Sequence, residues 1–337
     1  MGQREKAMKG AKERTHKIDI AKAILIYLVV VGHYFTGDVH TYIFWFHMPA
    51  FIMISGLFIR DNVSLKNELI KKTRRLLVPY FFFSILLGTV GTDTSFWMQI
   101  VGTLVGADYN ATPCTYPYYF ITQLFVAFLL FIVIQTAARR NNKGSGFIIG
   151  VVAGLYTLMQ IAVHLFPIEI WGRVPWNADM AFVSVAFLCV GKYTKTILTS
   201  IRGGYVAVAV ALLLIVLQVA GCFDYSYDFR YHKWHWGQDI IIPYVFLMAI
   251  LVISERLDNV GGLNRILRYV GNASLVIMFL HPFFMKVNKH FFQPSDIGLW
   301  IMALFVVFEC TVCYWLFLRS KYTRWIVGER WFAPDVP

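Results

Sequence analysis

Two histidines and a lysine stand where apolar sequence should carry no ionisable group. Lys22 and His33 lie in KIDIAKAILIYLVVVGH, and His47 lies in FWFHMPAFIMISGLFI, each run otherwise apolar enough to cross a bilayer. A charged or titratable side chain at membrane depth costs on the order of 2.5–3.5 kcal/mol on insertion scales, so such residues face a protein interior or a wet cavity. Eleven residues separate Lys22 from His33, which is three helical turns plus ~20°, so both project from one face, ~16 Å apart along the axis. A cation near one membrane surface and an imidazole deep on the same stripe suit a site that reads a long molecule from end to end. The bland alternative is a snorkelling Lys22 and a His33 that bonds a neighbouring helix.

His47 is expected at a depth like that of His33, and two imidazoles on adjacent helices make an acid/base pair. Before the third apolar run stand Lys71, Lys72, Arg74 and Arg75. Cations at a helix start oppose the dipole, so either anionic lipid headgroups or a phosphate-bearing cosubstrate should account for them. The stretch CFDYSYDFRYHKWHWGQD alternates rings, including Trp234 and Trp236, with carboxylates, and a second patch holds Asp108, Tyr109, Tyr116, Tyr118 and Tyr119. Such alternation fits an interfacial aromatic belt or a sugar acceptor, whose C–H faces stack on rings while its hydroxyls seek acceptors. His281, near the outer end of a later run, is either a satisfied histidine by the headgroups or a further group on the acceptor side.

The elements that must position these groups are membrane helices. Of 337 residues, 58% are hydrophobic and 15% charged, and the mean hydropathy is +0.59, which excludes an ordinary soluble domain. Ten spans are expected near 18–36, 42–59, 76–92, 117–138, 146–166, 177–194, 204–221, 239–255, 269–285 and 298–318, with the short run 96–107 lying in the outer interface. The expected fold is therefore all-α and polytopic, with about ten transmembrane helices. With the N-terminus inside, 25 of the 31 Lys and Arg fall on the inner side and five outside, Lys22 lying within the first span. This bias predicts two cytoplasmic termini. It also explains the net charge of +12 as topology, with no nucleic-acid partner.

The domain layout expected is a basic tail over 1–17, one transmembrane domain over 18–318 and a cytoplasmic tail over 319–337. The first sixteen residues lack the apolar core of a signal peptide and read as a cytoplasmic tail. The five cysteines form no metal framework, and no metal is expected; Cys310 and Cys313 read as packing residues, and Cys114 and Cys222 could pair in an oxidising outer compartment.

KIDIAKAILIYLVVVGH, FWFHMPAFIMISGLFI, KKTRRLLVPYFFF and YVGNASLVIMFLHPFF, in this order and spacing from Arg14 to His281, resemble the acyltransferase-3 family of integral membrane acyltransferases, especially its fucose 4-O-acetylase-like branch. The resemblance implies that His33, paired with Lys22, is the catalytic base, and that Asp19 occupies an acidic position that pairs with Lys22 or a loop arginine. It implies that Lys72-Thr73-Arg74-Arg75 stands for an Arg-x-x-Arg signature on the acyl-CoA side, with Lys in the first place, which keeps the charge and loses the planar fork. It further implies transfer of an acyl group, usually acetyl from acetyl-CoA, to a hydroxyl of an extracytoplasmic sugar, polysaccharide or glycolipid at the cytoplasmic membrane. A polysaccharide transporter or export component is the competing function, and a noncatalytic scaffold a third.

Overall fold

The computed structural model describes residues 3–61, 64–90, 92–106, 112–166, 174–227, 235–292 and 295–328, with backbone alone over 3–15 and at 201. Among these residues there is no strand. The helices in chain order are α1 (Gln3–Tyr34), α2 (Asp38–Phe44), α3 (His47–Gly56), α4 (Leu65–Lys72), α5 (Val78–Leu87), α6 (Phe96–Val105), α7 (Tyr119–Arg140), α8 (Ser145–Leu165), α9 (Ala178–Tyr193), α10 (Lys195–Leu198), α11 (Ile201–Val219), α12 (Gln238–Asp258), α13 (Gly261–Phe291), α14 (Asp296–Arg319) and α15 (Lys321–Arg324). Six of them, α7, α8, α11, α12, α13 and α14, are long and apolar enough to cross a membrane. The protein is an all-α polytopic membrane protein.

The other four expected spans are helical but shorter, broken or charged. α1 holds Lys17, Asp19 and Lys22; α9 holds Asp179 and Lys192; α5 has only ten residues. These elements can depart from a plain apolar span because they sit centrally. α1 packs on α13, α12, α14 and α3, and α9 packs on α3, α7 and α8, while α8, α11 and α14 turn most of their apolar surface outward. Polar groups on the inner helices are thereby kept from hydrocarbon.

Two glycine contacts set the distances between central helices. A Cβ on Gly271 of α13 would run into the Asp19 carbonyl of α1, and Gly56 of α3 and Gly191 of α9 each meet the other helix's backbone. Only a residue without a side chain permits such an approach.

The expected span 42–59 is broken at Trp45 and Phe46 between α2 and α3. Pro49 supplies the reason, since in an unbroken helix its ring would strike the carbonyl four residues earlier. The Trp45 indole donates to the Tyr225 carbonyl at 2.8 Å, tying the break to the far loop.

The short run 96–107 also differs from expectation. α6 folds back along α5: Tyr80 donates to the Thr103 carbonyl at 2.9 Å, and Gln99 donates to the Ser84 carbonyl at 3.1 Å. Its polar residues Gln99 and Thr103 are buried, while Phe96, Trp97, Met98, Val101 and Leu104 point outward. That pattern, polar inside and apolar outside, suits a helix flanked by lipid.

Candidate active site

α1 is continuous from Gln3 to Tyr34, so the stripe carrying Lys22 and His33 is a real ridge. At its basic end the Lys22 ammonium lies 2.6 Å from the Asp19 carboxylate, one helical turn away. Both line a cavity of about 360 Å³. The opposite wall carries Lys72 and Arg75, the apolar sides come from Leu76, Leu124 and Phe128, and Ser55, Asn272 and Ser274 add neutral polar groups. The size and mix of this lining fall in the range of small-molecule sites.

Lys72 reaches deeper than its place before a span implies. Its ammonium sits 3.2 Å from the centroid of the Phe128 ring, nine residues into α7. Burial, followed by the neighbouring Arg75 charge, pushes the Lys72 ammonium down to about 7. Residues Thr73–Leu77 form a π-helical turn, a feature that recurs at functional sites. Of the four cations, Lys72 and Arg75 line the cavity. Lys71 is turned to Glu68, 3.3 Å away, and Arg74 is exposed.

The cavity lining ends at Ile26 on α1 and Met278 on α13. His33 lies two turns beyond Ile26, ~10.5 Å, and His281 one turn beyond Met278, ~4.5 Å. There the two imidazoles stack, with centroids 5.3 Å apart and planes 15° from parallel. Tyr116 packs edge-on to His33 at 5.1 Å, and Phe44 at 5.9 Å. His33 is half-buried and held by these rings, with no hydrogen bond among the described residues. The α1 and α13 walls of the cavity thus also carry the histidine pair, and α7 follows directly from the turn that holds Tyr116.

The tautomer of His281 follows from its partner. Nδ1 lies 2.9 Å from the Ile277 carbonyl, and a carbonyl only accepts, so Nδ1 carries the proton and Nε2 presents a lone pair. That Nε2 is buried without a hydrogen-bond partner among the described residues. His47 is locked alike, its Nδ1 donating to the Ile43 carbonyl at 2.8 Å.

The remaining expected residues lie apart. His47 reaches the pair through Phe44, whose ring centroid is 4.6 Å from it. Tyr118 is fully buried and donates to the Phe279 carbonyl at 2.5 Å, which ties the start of α7 to α13. Tyr119 lies by Tyr227. Trp236 is exposed, and its carbonyl accepts from the Tyr156 hydroxyl at 2.6 Å. Trp234, Asp108 and Tyr109 fall outside the described residues. Cys114 and Cys222 are free thiols, one buried and the other exposed.

One member of the cluster carries no role in the sequence reading. His40 stacks on Phe44 at 3.8 Å, and its Nδ1 donates to the Gly32 carbonyl at 2.7 Å. The signal for it was its seven-residue separation from His47 across the proline-broken run.

The family model described as an acyltransferase domain, acyltransferase-3, matches residues 15–319. The chain belongs to this acyltransferase-3 family. It is also similar to the nodulation protein NolL of Mesorhizobium japonicum, with 28% identity over 176 residues, 47% of this chain and 45% of that protein. The chain thus spans about half the length of that curated relative. Within the acyltransferase-3 match lie the cavity, all four clustered histidines and the π-helical turn.

Proposed function

We propose that this acyltransferase-3 member is a membrane O-acyltransferase that moves an acyl group, acetyl by preference, from acyl-CoA to a hydroxyl of a sugar, polysaccharide or glycolipid beyond the other membrane face. The basic end of the helices faces the cytosol in this reading, with both termini there, and the membrane is the cell's cytoplasmic one. The observation that carries the proposal is the single cavity joining Lys22, Lys72 and Arg75 and aligned, through α1 and α13, with the His33–His281 pair.

The lining fits an acyl-CoA donor. Lys22, Lys72 and Arg75 would meet phosphates, the Ser55, Asn272 and Ser274 side chains would meet amides, and the apolar walls would flank the pantetheine arm. The acceptor hydroxyl oxygen attacks the thioester carbonyl carbon, forming the ester C–O bond as the C–S bond breaks. His33 takes the hydroxyl proton and passes it to the departing thiolate. The Nε2 of His281 would orient the acceptor by accepting a hydrogen bond from a neighbouring hydroxyl of the sugar.

Purified protein in nanodiscs, given labelled acetyl-CoA and a glycan extract from cells lacking the gene, tests the reading. Label should pass to the extract with wild-type protein and stay on CoA with His33→Ala, while acetyl-CoA binding persists. Wild-type protein that leaves all label on CoA, as an exporter would, or undiminished transfer by His33→Ala, overturns it.

A further inference from the structure

α14 carries a carboxylate in the middle of an otherwise apolar crossing. Glu309 stands between Phe308 and Cys310 in DIGLWIMALFVVFECTVCYWLFLR, and a charge at such depth marks a site by default. Its carboxylate accepts from the Asn288 amide at 2.8 Å and is half-buried, so part of its accepting capacity is open.

Asn288 fixes where this carboxylate lies. It follows His281 on α13 by seven residues, which places it on the same face ~10.5 Å farther along the axis. Reading α13 outward, one ridge therefore meets Asp19 at Gly271, lines the cavity with Ser274 and Met278, stacks on His33 at His281 and holds Glu309 at Asn288.

A second observation points to a ligand at the same level. Tyr34, the residue after His33, is only 7% exposed, and its hydroxyl has no hydrogen-bond partner among the described residues. The Glu309 charge acts on that hydroxyl, and the Lys289 ammonium lies 5.2 Å from the Tyr34 ring centroid. A buried hydroxyl without a partner is costly unless something supplies one.

We propose that Glu309, Asn288 and Tyr34 form the subsite for a polyhydroxylated acceptor, on the far side of the histidine pair from the donor cavity. A carboxylate and a phenol hydroxyl together accept from and donate to vicinal hydroxyls of a sugar ring. Anchoring two hydroxyls there would leave a third to reach His33. This deepens the reading above and rests on it, and it moves acceptor recognition from the aromatic loops to the α1–α13–α14 junction.

The test titrates the same glycan extract, as a dilution series, into nanodiscs holding wild-type, Glu309→Gln or Tyr34→Phe protein at saturating labelled acetyl-CoA. Glu309→Gln keeps the shape and the hydrogen bond to Asn288 and loses the charge; Tyr34→Phe loses only the hydroxyl. Each should raise the half-saturating amount of extract by roughly tenfold or more, with the acetyl-CoA Kd within about twofold of wild type. An unchanged half-saturation in both variants, or an equal weakening of acetyl-CoA binding and thermal stability, overturns the subsite. Failure of the function reading shows separately, as transfer absent in wild type or undiminished in His33→Ala.

Discussion

His33 and His281, 248 residues apart in sequence, lie ring on ring at 5.3 Å. The Nδ1–H of His281 is committed to the Ile277 carbonyl, so the stack presents one lone pair of known position beside His33. His281→Asn retains a donor near Nδ1 and lacks the Nε2 lone pair. Its rate of acyl transfer is expected to fall by about 10²–10⁴ with little change in acetyl-CoA Kd. Single-turnover transfer alongside equilibrium binding measures both, and a wild-type rate would remove His281 from the chemistry.

Under the proposed function, Lys72 should make donor binding pH-dependent. Burial and Arg75 hold it down at about 7, so the ammonium that would meet a phosphate is present below that pH and is lost as pH rises through it. Acetyl-CoA affinity should then weaken above pH 7 by up to about tenfold per pH unit. Lys72→Arg keeps its charge throughout and should flatten the profile. Isothermal titration calorimetry between pH 6 and about 8.5 shows it.

The two faces of the cationic segment should separate in mutation. All three are exposed, but only Arg75 also lines the cavity. Arg75→Ala is expected to raise the acetyl-CoA Kd by roughly tenfold or more, and Arg74→Ala and Lys71→Ala by less than about twofold. Equal losses in all three would point to lipid headgroups as their partner.

Gly271→Ala tests the contact beneath the site. The added methyl meets the Asp19 carbonyl, and neither backbone can move without parting α1 from α13. A loss at or above the upper end of the roughly 1–3 kcal/mol for overpacking is expected, read as a lower unfolding temperature in detergent with reduced yield.

How far the chain could be read without coordinates depends on the distance over which each feature acts. Helical periodicity is local, so the ridge joining Lys22 to His33 and the apolar helices were accessible from spacing and hydropathy alone. Which helix faces that ridge is a tertiary fact. His281 was visible as a lone polar residue, but its stacking on His33 was not. The break at Trp45 could have been read from Pro49, whose ring forbids continuity, and Glu309 from its isolation in an apolar run. The π-helical turn at Thr73–Leu77 has no comparable signature in residue types. The inward polar edge of α6 shows the converse problem, since amphipathicity alone does not say which solvent, water or lipid, the apolar face meets.

The proline-imposed break before His47 leaves Phe44 with a particular neighbourhood, its ring touching His33, His40 and His47 at once. An aromatic ring neither accepts nor releases protons, so it acts as an insulator within the quartet. His40 and His47 are tethered to the Gly32 and Ile43 carbonyls, with the Phe44 ring against all three imidazoles. In the proposed reaction His33 would move the proton and His281 would orient the acceptor, with Phe44 packed between them and the two remaining imidazoles.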